Sequence, residues 1–364
     1  LAKTVIAFLP LLLGQGLCAY TLLKQKHSAA WKETGAVVLF SGVAACISLV
    51  AQTYNISGSL NNFLLTWMLL VIPLVYIMPS SVTALLYVCG ITWYACETGY
   101  FHYSSSTVPY YYIGLLALMV PYLYQSWKQK SNSNTFTWLA WLLTLSLTIV
   151  LAAFSNNSHD RYEWVFSAYI AMFCIFYLLG RSAVFEQKRL YANPLLSIGA
   201  LGILFILFFW SFEGVWPDVF TSYNGDTRHT DFFHTPFFYL TIILLMAAAW
   251  LIISDYKRVY KIAFDPMGFS GFLLFILLSV APYMYQFGAF IINLNILFIA
   301  IFFIRKGAIQ DHLGILNFGL AIIALLAVFR FFDGQIPFVW RGLFFIATGA
   351  GFFVANYLMV KKRK

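Results

Sequence analysis

Thirteen apolar runs, each about 20 residues long, follow one another along the 364-residue chain with short polar breaks between them. At a rise of roughly 1.5 Å per residue, about 20 residues are what a helix needs to cross the hydrocarbon core of a bilayer. The runs fall at 4–23, 33–54, 60–78, 81–100, 107–127, 135–155, 162–180, 193–213, 235–254, 267–285, 287–304, 311–332 and 336–360. This pattern predicts an all-α integral membrane protein, a polytopic bundle of about 13 transmembrane helices. The least marked divisions are the one inside 267–304 and the turn Met78-Pro79-Ser80-Ser81. No break is long enough to hold a soluble domain, so 1–364 reads as a single transmembrane helical domain. The longest break, 214–234, carries the turn signal Asn224-Gly225-Asp226.

Charge changes the picture from class to orientation. Of the 22 Lys and Arg residues, 17 fall on alternate breaks or on the tail 361–364. They include Lys24, Lys32, Lys128, Arg181, Lys257, Arg305, Lys306 and Lys361. The other side holds only Lys3, Arg161, Arg228, Arg330 and Arg341, against eight acidic residues. Cytoplasmic loops retain Lys and Arg during insertion, so the asymmetry predicts an N-terminus outside and a basic C-terminal tail in the cytoplasm. An odd number of spans is the count that puts every basic break on one side. The 214–234 loop is then external.

Composition narrows the class further. A chain that is 62% hydrophobic and 10% charged lies outside the range of soluble domains. The formal +9 is spread over short loops instead of one surface, so no nucleic-acid partner is expected. Cys18, Cys46, Cys89, Cys96 and Cys174 are odd in number and sit in apolar runs, which predicts small buried hydrophobes and no disulfide framework. The chain starts at Leu1 without Met, and a trimmed start is expected. There is no P-loop, no dinucleotide fingerprint, no HExxH and no nucleophile elbow, and no cofactor or metal is expected.

Two stretches carry a resemblance. Residues 50–76, VAQTYNISGSLNNFLLTWMLLVIPLVY, resemble the signature of a bacterial family of multi-span membrane proteins known only as a domain of unknown function. Asn317-Phe318-Gly319, Arg330-Phe331-Phe332-Asp333 and Arg341-Gly342 resemble the last two helices of the same family. The resemblance implies a bacterial inner-membrane protein and implies no activity.

The candidate ligand-binding residues are few. Arg330 and Asp333 are three apart, hence on one helix face, and the short turn through Gly334 and Pro337 brings Arg341 back to their depth. Charges at membrane depth are costly, so they pair or line a wet cavity. Two guanidiniums against one carboxylate suit a phosphate or carboxylate. A structural hairpin clamp is the competing reading. Gln52, Tyr54 and Asn55 end the second run in a polar turn with Ser57, Gly58, Asn61 and Asn62. That turn is either part of a headgroup site or a plain helix terminus. Glu97 and Glu213 lie near outer ends beside His102 and Trp216, as interfacial acids or as proton carriers. His229, Asp231 and His234 match no strong metal spacing. Asn293, Asn295, Asn317 and Asn356 are mid-helix amides, expected to bond across helices. Tyr110, Tyr111, Tyr112, Trp138, Trp141, Trp164 and Trp210 are expected mostly in the interfacial belt.

One internal echo stands out. Val120-Pro121-Tyr122-Leu123-Tyr124-Gln125 matches Ala281-Pro282-Tyr283-Met284-Tyr285-Gln286, ending an inward and an outward span respectively, as a weak inverted repeat would. The sequence therefore points to transport or binding of a small anionic solute or a lipid-linked headgroup at the outer leaflet, with membrane lipids as the immediate partners. A membrane enzyme using Glu97, Glu213 or Asp333 on lipid-linked substrates, and a structural subunit of an envelope complex, are the alternatives. The sequence names no protein partner.

Overall fold

A computed structural model of the chain describes residues 2–25, 27–101, 108–130, 133–155, 162–182, 185, 190–216, 236–258, 265–284, 287–331 and scattered positions from 339 to 357. Among the described residues there are twelve α-helices and no strand. They are α1 (Ala2–Lys24), α2 (Ala29–Thr53), α3 (Leu60–Ile77), α4 (Ser81–Gly99), α5 (Tyr110–Lys130) and α6 (Asn134–Leu151). They continue as α7 (Tyr162–Gly180), α8 (Pro194–Trp210), α9 (Pro236–Arg258), α10 (Pro266–Met284), α11 (Gly288–Ile309) and α12 (Leu313–Phe331). Each of the first twelve apolar runs thus becomes one helix, including the pair separated near residue 286. In the thirteenth run the described positions are all helical.

Eight of these helices, among the described residues, are long and apolar enough to cross a membrane: α1, α2, α3, α6, α7, α9, α11 and α12. Helices α8 and α10 are apolar but shorter; α4 is long but rich in Thr and Tyr, and α5 is long but rich in Tyr. The chain divides into two compact units, Leu1–Asp160 with Tyr191–Pro194, and Arg161–Leu190 with Leu195–Lys364.

In unit 1 the polarity of α4 has a packing explanation. This helix lies against α2, α3, α5 and α6, so little of it needs a lipid-facing surface. Its Tyr87 is fully buried and donates to the Leu115 carbonyl of α5 at 3.1 Å. Thr92 meets Ser146 of α6 at 2.6 Å, and Tyr112 of α5 meets the same hydroxyl at 2.7 Å. Helices α1 and α2 form a close hairpin at glycines: a Cβ on Gly42 would lie 2.6 Å from the Pro10 carbonyl oxygen. The outer face of α1, with Val5, Ile6, Leu9, Leu12, Leu13 and Leu23, is exposed, as a lipid-facing surface would be.

A carboxylate closes the other end of the same unit. Glu33 of α2 accepts from the backbone N–H of Ser81 at 2.8 Å and of Val82 at 3.1 Å, and from the Ser80 hydroxyl. Ser80 in turn accepts from Thr83 N at 3.1 Å. Two of the orphan amides at the start of α4 are therefore satisfied by an acid from a different helix, aligned with the positive end of its dipole.

Unit 2 is built around α7. About two-thirds of its span (67%) is buried, against 22–39% for the other seven spanning helices, which makes it the central helix. It packs on α9 and α10, and at Gly199 on α8, where a Cβ would lie 2.5 Å from the Tyr177 backbone nitrogen. Helices α11 and α12 form a hairpin with the same device: a Cβ on Gly307 would lie 2.4 Å from Leu316 N, and one on Gly319 would lie 2.7 Å from the Ala300 carbonyl oxygen.

Candidate functional site

Polar side chains collect at both ends of α7. In its first two turns stand Glu163, 1% exposed, and Ser167, wholly buried. The neighbouring helix ends contribute Trp210 and Ser211 from the end of α8, Asn293 from the start of α11, and Arg330 from the last turn of α12. Aromatic packing joins these ends, with Phe166 stacked on Phe209 at 4.9 Å and Phe329 set against Phe208 at 4.9 Å.

Ser211 is the hub. Arg330 donates from Nη2 to Ser211 Oγ at 3.0 Å and lays its guanidinium over the Phe212 ring at 5.0 Å. Asn293 Nδ2 donates to the Ser211 carbonyl at 3.0 Å and to the Ala289 carbonyl at 2.8 Å. The Ser211 hydroxyl donates to the Phe208 carbonyl at 2.6 Å. The end of α8 thus meets α11 and α12 at one serine. A cation in the last turn of α12 and an acid in the first turn of α7 each sit at the dipole end that favours them.

Three polar atoms in this region are buried with no hydrogen-bond partner among the described residues: Ser167 Oγ, Trp210 Nε1 and Asn293 Oδ1. Such groups are uncommon in folded proteins because each forfeits its hydration without replacement. Trp210 is held from the other side, since Trp216 Nε1 donates to the Trp210 carbonyl at 2.9 Å and the two rings meet at 4.9 Å.

The opposite end of α7 carries a charged cluster. Asp265, the residue before α10, is 7% exposed and accepts from Tyr177 Oη at 2.8 Å and from Arg181 Nη1 through its Oδ2. Its Oδ1 accepts from Met267 N at 3.1 Å, capping α10. Lys306 of α11 feels both the Arg181 and the Asp265 charges, and its ammonium lies near the Phe302 and Phe303 rings.

Of the residues the sequence singles out, Arg330 belongs to the Ser211 cluster. Asp333, Arg341, His102, His229, Asp231 and His234 lie outside the described residues, as do loop positions 217–235 and the tail 361–364. Glu213, just beyond α8, is exposed, and Glu97 in the last turns of α4 is half-buried. Gln52, Tyr54 and Asn55 are exposed at the end of α2 in unit 1. There Asn55 adopts φ 52°, and Ile56 N bonds the Ala51 carbonyl at 2.9 Å. This is the geometry of a left-handed helix stop.

Two expectations are revised. Tyr112, Trp164 and Trp210 are buried in the cores of their units, whereas Tyr110, Tyr111 and Trp138 are exposed as a belt requires. Among the cysteines Cys18, Cys46 and Cys174 are buried, but Cys89 is exposed and Cys96 half-buried; all five are free. The amide reading holds for Asn293 and for Asn295, whose Nδ2 reaches Ser270 of α10 at 3.4 Å. Sequence reasoning passed over Glu163, Ser167 and Ser211. The available signal was a lone acid opening an otherwise apolar span.

Residues 1–84 match a family model described as a predicted membrane protein (DUF2157). The match takes in α1, α2, α3 and the first turn of α4, so it contains both partners of the Glu33 clamp. The resemblance within 50–76 falls inside it, and the one within 317–342 lies beyond it. No curated protein and no solved structure matches the chain. The fold and this match together describe a multi-pass helical membrane protein.

Proposed function

We propose that this protein binds a small anionic solute or a lipid-linked anionic headgroup at the Arg330 end of unit 2, and moves it across or within the bilayer. The observation that carries the reading is the Ser211 cluster. A guanidinium is held there where the ends of α8, α11 and α12 converge, in the unit whose Trp210 N–H and Ser167 hydroxyl are buried without a partner among the described residues. Both are donors of the kind that an anionic oxygen accepts from. Arg341 and Asp333 complete the site on the hairpin geometry read from the sequence.

On this reading all thirteen helices cross a bacterial inner membrane. The N-terminus lies outside and the basic tail in the cytoplasm, so the Arg330 end faces outward. The echo at Pro121 and Pro282 would then mark an inverted repeat of a transporter.

The test uses inorganic phosphate and phosphatidylglycerol as the two probes. Protein in phosphatidylcholine nanodiscs is titrated with phosphate, and its melting temperature is compared with that in phosphatidylglycerol nanodiscs. Binding should raise the melting temperature of the wild type, and Arg330→Gln and Arg341→Ala should each abolish the rise while the proteins stay folded. Phosphate alone being effective identifies a soluble anion, and phosphatidylglycerol alone a headgroup. No stabilisation of the wild type by either probe, or an undiminished response in Arg330→Gln, rejects the site.

A further inference from the structure

The Asp265 cluster is a poor candidate for a purely stabilising clamp. A buried ion pair returns little over apolar side chains of similar volume, because desolvation offsets the attraction. The surroundings here are apolar enough to have supplied such side chains. Instead one carboxylate takes donors from two sides, Tyr177 and Arg181 at the end of α7 and Met267 N at the start of α10. Neutralising that carboxylate weakens every one of these bonds at once, so the contact behaves as a single-point latch.

Behind the latch a few polar groups lie among apolar side chains. Cys174, two turns up α7, is wholly buried and sets its Sγ 3.7 Å from the Met267 carbonyl. Ser270, one turn up α10, receives Asn295 of α11 at 3.4 Å. Further along α7 comes Ser167, with no partner among the described residues. Glu163 and Arg181 are 18 residues apart on α7 and its end, roughly 27 Å along a helix, so the two polar clusters stand about a membrane's thickness apart.

We infer that Tyr177, Arg181 and Asp265 form a gate closing the interior of unit 2 at its basic end, and that this gate opens locally while the bundle stays folded. The inference rests on the transport reading, since a protein that only binds at the Arg330 end needs no second opening. Lys306, on the third helix at this end, contributes a cation that favours the closed carboxylate.

Cys174 is a built-in reporter. Purified wild-type protein is treated with N-ethylmaleimide well below its melting temperature, and modification of each cysteine is followed by peptide mass spectrometry. Cys18 and Cys46, both buried in unit 1, serve as controls for global unfolding. A locally opening gate labels Cys174 about tenfold or more faster than either control, because sub-global opening needs less free energy than unfolding. Asp265→Asn should raise the Cys174 rate by about another tenfold and leave the controls unchanged. If Asp265→Asn does not fold, Tyr177→Phe keeps the ion pair and should accelerate Cys174 labelling by a few-fold. Three thiols that label together in the wild type, or a Cys174 rate unmoved by the folded variants, would overturn the gate. No ligand enters this experiment, so its failure is separate from failure of the phosphate titration.

Discussion

Removing the carboxylate of Glu33 tests whether one acid sets the start of α4. In the native protein its two oxygens accept from Ser81 N at 2.8 Å, Val82 N at 3.1 Å and the Ser80 hydroxyl. Glu33 is half-buried, so water recovers part of what is lost, and the helix-cap scale applies better than that of a fully buried charge. At about 1 kcal/mol for each orphaned amide, with up to about 1 kcal/mol more for the lost dipole interaction, Glu33→Ala should cost roughly 2–3 kcal/mol. Glu33→Gln keeps one acceptor oxygen and loses the charge, so it should cost about half as much. Ser80→Ala removes both the hydroxyl donor to Glu33 and the cap on Thr83 N, and the double variant should fall short of the sum because the groups share one network. Unfolding free energies from SDS titration in mixed micelles would rank the four proteins. A Glu33→Ala protein within about 0.5 kcal/mol of wild type, the range of an ordinary surface change, would refute the clamp.

Glycine positions give a paired prediction. Gly199→Ala pushes a methyl group to 2.5 Å from the Tyr177 backbone nitrogen, which cannot swing away, and should cost about 1–3 kcal/mol in the same titration. Gly16→Ala meets nothing within 4 Å and should be neutral or stabilising by up to about 1 kcal/mol through helix propensity. Orientation is checked with single cysteines placed at Lys130 and Asp226, labelled by an impermeant maleimide in whole cells and in inverted vesicles. Opposite sides are expected, and reaction from one side alone would reject the alternating topology.

The helices were legible because lipid leaves the backbone few options. With no water to bond stray amides, each crossing segment has to satisfy its own backbone, and an apolar run of suitable length becomes a helix whatever its finer sequence. That is why even the faint breaks after Met78 and near Tyr285 separate real helices. The terminus at Asn55 was open between a site and a stop. The left-handed backbone is the one a helix stop adopts, a conformation that residue type alone does not reveal because asparagine suits both readings. Tyr112, Trp164 and Trp210 misled for a related reason. An aromatic near a span end looks like a belt residue in sequence, and only packing tells which rings turn inward.

Contacts between distant helices were out of reach, and the site depends on them. Glu33 and Ser80 are 47 positions apart, Arg181 and Asp265 are 84, and Ser211 and Arg330 are 119. Counting charges by side groups the Arg181 and Asp265 pair correctly, and the alternation of spans puts Ser80 on the same side as Glu33. It treats them as loop charges facing water, however, when each is a bond that fixes a helix end. The central place of α7 was hidden for the opposite reason. An acid at residue 163, a serine at 167 and a tyrosine at 177 look like blemishes in an apolar run, and an arginine at 181 looks like a loop charge just after it. In a helix two-thirds buried by its neighbours they become groups that must find partners inside the protein. A span that tolerates such residues is therefore more informative about function than one that does not. The two clusters it carries are where the proposed binding at one end and the proposed closure at the other can be tested independently.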